Sequence, residues 1–469
     1  MTPLWSNLQS LLYLACAVTF VVGLHLMNSP RTARRGNAIS ATGMSAAVVI
    51  AFVAVTLDGF TLTAAPLVLV IAVAVGSAIG LIAGRRVAMT AMPQLVSSFN
   101  MVGGGAAALI GVDEALRANG TTAISVGATT GLGILIGSLT VAGSFVAAGK
   151  LQGFLSGNPV RLPGHRALEL SAIGFAIVGA IWLALHTGDV IPLVIVVAAS
   201  LAAGVLIVLP IGGADMPVVI SLLNACTGTA VAMTGLALGN PIMIIAGALV
   251  GAAGAILSVL MGKAMNRSII AIVVGGFGGA TDQPAGKGTS SAAVRQTTAD
   301  DVAIQLAYAH RVVVVPGYGL AAARAQHELA DLGALLTSRG VDVSYAIHPV
   351  AGRMPGQMNV LLAEANVPYS ELKDMDESNP IFAQTDVALV VGANDVTNPA
   401  ARRAGNPVSG MPILDVDKAT SVIVLKRSMG RGYAGIDNEL YAEPRTSMLF
   451  GDAKESLQQL LSAIKVLVA

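Results

Sequence analysis

A chain of 469 residues with 54% hydrophobic residues, only 11% charged residues and a mean hydropathy of +0.75 has more apolar surface than an ordinary globular core can hide from water. Its formal net charge of +1 supplies none of the basic excess that binding a nucleic-acid backbone requires. The charge is also unevenly placed: 17 charged residues occur up to Arg267 and 36 in the shorter remainder, so the first part suits lipid and the second suits water.

In chain order, nine apolar stretches are long enough to cross a hydrocarbon layer: about 4–27, 38–57, 62–84, 92–116, 122–149, 167–186, 190–209, 214–237 and 239–262. The first lacks a basic leader and a small-residue cleavage site, so it reads as a retained span. With the N-terminus outside, Arg31, Arg34, Arg35, Arg85, Arg86, Lys150, Arg161, Arg166, Lys263 and Arg267 fall on the cytoplasmic side and Arg117 alone outside. An odd number of spans then leaves the hydrophilic part in the cytoplasm. Cys16 and Cys226 lie in apolar runs and read as small buried hydrophobes, with no disulfide and no metal site.

Several spans carry polar residues in stripes. Ser97, Asn100 and Gly104 share one face of the fourth span, and Ser221, Asn224 and Gly228 share one face of the eighth at the same spacing. Thr130, Gly133, Gly137, Thr140 and Ser144 line the fifth. Such stripes serve close helix packing or a hydrated proton route, and the pattern fits both. No Asp, Glu, Lys or Arg falls at mid-membrane depth, and His25 and His186 sit near span ends, so the stripes contain no obvious titratable carrier.

Residues 1–267 thus read as a membrane domain, 268–296 as a linker rich in Gly, Thr and Ser, and 297–469 as a water-soluble domain. Thr298 before Ala299, Asp300 and Asp301 marks a helix start. Apolar β-branched runs at Val312–Val315, Val341–Ile347, Val387–Val391 and Val422–Leu425 alternate with helical patterns near 320–339, 357–366 and 453–467. This alternation predicts a doubly wound parallel sheet, a Rossmann-like α/β domain behind a polytopic helical one.

After the first strand, Gly317, Gly319 and Ala322 fit G-x-G-x-x-A, the turn that lets backbone approach a pyrophosphate. The second strand ends in His348, Pro349, Val350, Ala351, Gly352 and Arg353, with no acid to bind a free ribose. Lys426, Arg427 and Ser428 close a later strand, either as a solvated basic end or as partners for a 2′-phosphate, which favours NADP(H) over NAD(H).

The chain resembles the β subunit of proton-translocating NAD(P) transhydrogenase. The likeness is carried by VVVVPGYGLA (312–321), IHPVAGRMPGQMNVLLAEA (347–365), VVGANDVTNPAA (390–401), GMPILDV (410–416), KRSMGRGYAG (426–435) and LFGDAK (449–454), and within the membrane part by GGADMPVVISLLN (212–224) and GKAMNRS (262–268). The resemblance implies Re/Si-specific hydride transfer between NADH and NADP⁺, coupled to a proton entering the cytoplasm. It implies NADP(H) on this chain, NAD(H) on an α partner that brings further membrane spans, a dimer of α/β units, and a bacterial inner membrane.

Carried over position by position, the resemblance implies NADP(H) contacts at Tyr318; at Val350, Ala351, Gly352, Arg353, Met354 and Pro355; and at Gly392, Ala393, Asn394, Asp395 and Val396. It adds Gly410, Met411, Lys426, Arg427, Ser428, Met429, Gly430, Arg431, Gly432, Tyr433, Asp452 and Ala453. The family binds the nucleotide in reversed orientation, and Asp395 is the expected coupling residue. Ser144 and Asn224 match polar channel positions, whereas Asn100 stands where many relatives have His, so the proton carrier is expected on a partner subunit. Two other classes share parts of this layout. A transporter or channel with a regulatory nucleotide domain would need charged substrate residues or a filter loop, and an anchored reductase would need one span.

Overall fold

The computed structural model describes residues 3–27, 30–57, 64–118, 123–156, 159–160, 162–212, 215–266, 268–270, 272, 294–354, 356–406, 408–432 and 434–467. Most of the expected linker, as well as Pro355 and Tyr433, lies outside them. The chain forms two compact units, Met1–Gly212 with Val218–Ser258, and Gly213–Pro217 with Val259–Ala469.

The first unit is helical because a spanning backbone must satisfy its polar groups internally where water is absent. Its helices are α1 (Pro3–Leu26), α2 (Pro30–Leu57), α3 (Ala64–Arg86), α4 (Met92–Arg117), α5 (Ile124–Gln152), α6 (His165–Leu185), α7 (Val190–Val208), α8 (Met216–Ala237) and α9 (Pro241–Ala264), the last running on into the second unit. Among the described residues eight helices are long and apolar enough to cross a membrane. The remaining one, α3, forms where the third span is predicted.

Small residues set the helix spacing. A Cβ on Gly137 of α5 would lie 2.6 Å from the Gly104 carbonyl of α4, and one on Gly228 of α8 would lie 2.3 Å from the Gly251 nitrogen of α9. In lipid there is little hydrophobic drive between helices, so this close backbone approach is the main attraction available. Helix α5 is the innermost span, with 61% of its apolar window buried. Its stripe Thr130, Gly133, Gly137, Thr140 and Ser144 is wholly buried.

The second unit holds a six-stranded, all-parallel sheet of β1 (Arg311–Pro316), β2 (Asp342–Ile347), β3 (Leu372–Asp374), β4 (Val387–Val391), β5 (Ser421–Lys426) and β6 (Thr446–Phe450), in the order β3-β2-β1-β4-β5-β6. Val312 pairs with Val343 on one side and Val387 on the other. Both faces are covered, which is why the strands are nearly continuous in Val, Ile and Leu rather than alternating. Val313, Val315, Ala388, Val390, Val422, Val424 and Met448 share one core with Phe382, Leu440 and Tyr441.

Helices α10 (Ala299–Ala307), α11 (Tyr318–Ala323), α12 (Gln326–Ser338), α13 (Gln357–Glu364), α14 (Met375–Phe382) and α15 (Ala453–Leu467) complete the unit. Thr298 caps α10 as its sequence predicts, its hydroxyl accepting from the Asp301 N–H at 3.2 Å. The single helix expected near 320–339 is two helices. Arg324 adopts a left-handed conformation, φ +53°, which ends α11 before α12 begins.

Candidate functional site

In a parallel sheet every strand ends at the same edge, and a crevice opens where the strand order reverses, here between β1 and β4. Beyond these ends the Gly317 N–H donates to the Val391 carbonyl at 2.9 Å and the Gly319 N–H to the Gly392 carbonyl at 3.0 Å. A Cβ on Gly317 would stand 2.4 Å from Ala393 Cα, and one on Gly319 2.6 Å from Gly392 Cα. The glycines of the G-x-G-x-x-A turn are therefore consumed in locking the β1 and β4 loops together.

At the end of β2, the Arg353 guanidinium stacks over the Tyr318 ring at 4.3 Å, joining the β2 loop to the glycine turn. Gly352, at φ +106°, leaves no room for a Cβ against Gln357, whose Oε1 accepts from the Arg353 N–H. His348 is buried and links two loops: its Nε2 lies 2.8 Å from the Pro412 carbonyl, and its Nδ1 accepts from the Val350 N–H at 3.2 Å. Nε2 must then carry the hydrogen, so the ring is neutral and ties Val350 to the loop that carries Pro412. Gly410 takes φ +73° and donates to the Ala401 carbonyl.

Burial pushes the His348 imidazole down to about 4, against an ordinary 6.5. The unfolded chain then binds a proton between these two values that the folded chain refuses. Stability from this group is complete above about pH 6.5 and is lost as pH falls towards 4, by roughly 3 kcal/mol at most. Melting the full chain across this range is expected to show a steeper acid loss for the native protein than for His348→Gln. Equal slopes would mean that His348 is protonated without consequence.

The ends of β4, β5 and β6 supply the polar part of the edge. Lys426, half-buried, donates from Nζ to the Gly430 carbonyl at 2.5 Å and lies 4.7 Å from the centre of the Tyr441 ring. The Asn394 amide meets the Tyr441 hydroxyl at 3.0 Å. In the amide orientation that satisfies both ends, its oxygen accepts from Lys426 Nζ at 3.2 Å and from the Gly432 N–H at 2.7 Å. Asp395 Oδ2 accepts from the Ala434 N–H at 3.0 Å, clasping the same loop. Burial pushes the Lys426 ammonium below its ordinary value, opposed by the charges of Asp395 and Asp437.

Arg427, Ser428, Met429, Gly430 and Arg431 are exposed along that loop, and Val396 is buried behind it. Asp452 follows β6 and accepts from the Lys454 N–H at 2.9 Å, with Ala453 buried at the first turn of α15. The described residues expected to touch a nucleotide thus lie on strand ends, loops and helix starts at or beyond one sheet edge. Sequence reasoning missed Tyr441 and Gln357 as supports, because a lone aromatic and a lone amide carry no motif. It noted His348 only as the missing acid.

In the membrane unit α4, α5 and α8 meet around a polar layer. Ser97 Oγ donates to the Ser144 carbonyl at 2.9 Å, Asn100 Nδ2 to the Ile220 carbonyl at 3.1 Å, and Thr227 Oγ1 to the Asn100 carbonyl at 3.3 Å. Ser144 is fully buried and Asn100 nearly so, while Asn224 is half-buried on α8 between Ile220 and Thr227.

The sequence model of the family described as NAD(P) transhydrogenase beta subunit matches residues 9–463 of this chain. Two curated relatives named NAD(P) transhydrogenase subunit beta, one from Rhodospirillum rubrum and one from a named strain of that species, are each 44% identical to it over 461 residues, covering 96% of this chain and 98% of the relative. The chain therefore belongs to the NAD(P) transhydrogenase beta subunit family.

Proposed function

We propose that the C-terminal sheet edge binds NADP(H) and that the chain, with an α partner carrying NAD(H), couples hydride transfer from NADH to NADP⁺ to proton translocation across a bacterial inner membrane. The observation that carries this reading is the composition of the edge. A locked glycine turn lies at the strand-order reversal, Arg353, Lys426, Arg427 and Arg431 lie on its loops, and no carboxylate follows β2 between His348 and Met354. That set suits a dinucleotide with an added 2′-phosphate.

The residues fit such a group. Lys426, Arg427, Ser428 and Arg431 would face phosphate oxygens, Tyr318 and Arg353 would flank the pyrophosphate, and Asn394 and Asp395 would lie towards the nicotinamide. Gly410, Met411, Asp452 and Ala453 would complete the contacts. Bound there, the nicotinamide is what gives or takes the hydride. The chain's own part is to orient it, to keep its reacting face towards the partner and to alter its hold when a proton moves. Ser144, Asn100 and Asn224 would lie on the proton path.

Residues 1–267 would form the membrane domain and 297–469 the cytoplasmic one. Ten of the eleven basic residues up to Arg267 would lie on the cytoplasmic side, with the N-terminus outside. Two α/β units would pair in the bilayer.

Hydride transfer needs both nicotinamides within a few ångströms of each other, so the purified chain alone is expected to interconvert NADH and NADP⁺ at no measurable rate. Adding the NAD-binding partner subunits should restore turnover and, in vesicles, proton movement with it. Robust turnover by the single chain would contradict the division of nucleotide sites between subunits.

A further inference from the structure

We propose that Glu169, with His165 beside it, is a proton-binding site at one end of α5, α6 and α7. The proposal rests on the reading of the chain as proton-translocating. Among the described residues of the first unit, only three Lys, Arg, His, Asp or Glu side chains are buried: Lys150, His165 and Glu169. They come together at one end of three helices. Lys150 lies two residues before the end of α5, His165 opens α6, and Glu169 is one turn further on the same face of α6.

Two of the three have a structural explanation. The last carbonyls of a helix have no partner within it, and cations are favoured there by the helix dipole. Lys150 Nζ lies 2.5 Å from the Leu209 carbonyl and 2.8 Å from that of Ile211, and His165 Nε2 lies 2.8 Å from the Leu206 carbonyl. Leu206 lies in the last turn of α7 and Leu209 and Ile211 just past it, so the two side chains close the end of α7 and the turn that follows.

Glu169 does not fit that explanation. Glu169 lies near the start of α6, where the helix dipole favours a carboxylate, but burying one without a donor is still costly. Yet Glu169 is 7% exposed, and its Oε2 is enclosed with no hydrogen-bond donor in contact. The charged groups that act on it are His165 and Arg166, both on α6. A carboxylate oxygen placed so is a vacant proton acceptor.

Helix α5, which packs against α6, carries the polar layer. Ser144 Oγ is likewise fully buried without a partner, and Lys150 lies six residues further along the same helix, about 9 Å by helical rise. Glu169 Oε2 takes a proton arriving by the Ser97, Asn100 and Ser144 layer and becomes O–H. It then gives that proton to water at the helix ends, returning to carboxylate, and the reverse direction uses the same two transfers. Sequence reasoning passed over Glu169 because it falls three residues into the sixth predicted span and reads as interfacial.

The test uses the complex with its partner subunits in proteoliposomes, comparing native protein with Glu169→Gln and Glu169→Asp. Glu169→Gln is expected to slow proton uptake and coupled turnover by at least about tenfold, and Glu169→Asp to recover much of the rate with a displaced pH profile. NADP(H) binding should be unchanged in both. Infrared difference spectra should contain the carbonyl band of a protonated carboxyl that Glu169→Gln removes. Native proton uptake and pH profile in Glu169→Gln would overturn the proposal, as would an unaltered infrared spectrum. If the native complex transfers hydride with no proton uptake at all, the translocation reading fails and this site fails with it. Should Glu169→Gln not assemble, the pH profile of Glu169→Asp decides: a native profile rejects the site.

Discussion

Lys426→Ala is expected to weaken NADP(H) binding to the full chain by about 10- to 100-fold while leaving the weak binding of NAD(H) nearly unchanged. A hydrogen bond to a charged group contributes about 1.5–3 kcal/mol, and each 1.4 kcal/mol is a factor of ten. Lys426 is already held by the Gly430 carbonyl and the Tyr441 ring, so little side-chain entropy remains to be lost when a phosphate arrives. Because burial lowers its proton affinity, the NADP(H) advantage should also fade at a lower alkaline pH than an ordinary lysine would give. Titration calorimetry with both nucleotides reads the effect, with Lys465→Ala, a cation in the last turn of α15, as the neutral control. Equal loss in the two variants, or none in Lys426→Ala, would remove this loop from the phosphate site.

What was legible in the sequence followed from strong periodicity. The four central strands and the final helix appear within a residue of their expected positions and most apolar spans within two, because each is a run with one dominant pattern; α2 begins eight residues before its expected span and α5 ends three residues after its own. The missed strands are edge elements. β3 has three residues and no fully buried position, and β6 includes Thr446 and Ser447, whose burial depends on β5 and on the chain at Gln296 rather than on their own character. The break at Arg324 was invisible because no Gly or Pro marks it.

The site was legible in part. Gly317 and Gly319 announce a close approach, but only the structure identifies what approaches as the Gly392–Ala393 backbone. Lys426 and Arg427 looked like equivalent members of one basic strand end. Lys426 is half-buried within a network of Asn394, Tyr441 and Gly430, whereas Arg427 is exposed. In the membrane, Asn100 could have been packing or path on spacing alone. The structure gives it a helix-bridging bond to Ile220, which is packing, and sets it in a layer with the enclosed hydroxyl of Ser144, which helix packing does not use.

The glycine lock predicts the largest structural effect. Gly392→Ala is expected to destabilise the nucleotide domain by about 3–4 kcal/mol, lowering its melting temperature by on the order of 10 °C, and to abolish nucleotide binding before the domain unfolds. Two costs combine. A left-handed φ, here +70°, costs an alanine about 1–2 kcal/mol, and overpacking adds about 1–3 kcal/mol. The overpacking is severe because the new Cβ would stand 2.5 Å from both Gly319 Cα and the Leu320 nitrogen, and neither is a side chain that can swing away. Gly340→Ala separates the two costs: Gly340 has φ +85° with nothing within 4 Å of a Cβ, so it should lose only the conformational part, about 1–2 kcal/mol, and keep binding. Relief of the Gly392→Ala clash requires the β1 and β4 loops to part, which opens the crevice at the strand-order reversal and moves Tyr318 away from Arg353. Melting curves and NADP(H) titrations on both variants decide the matter. If Gly392→Ala is no worse than Gly340→Ala, the loops are not locked through their glycines, and the edge owes its shape to the polar contacts of β5 instead.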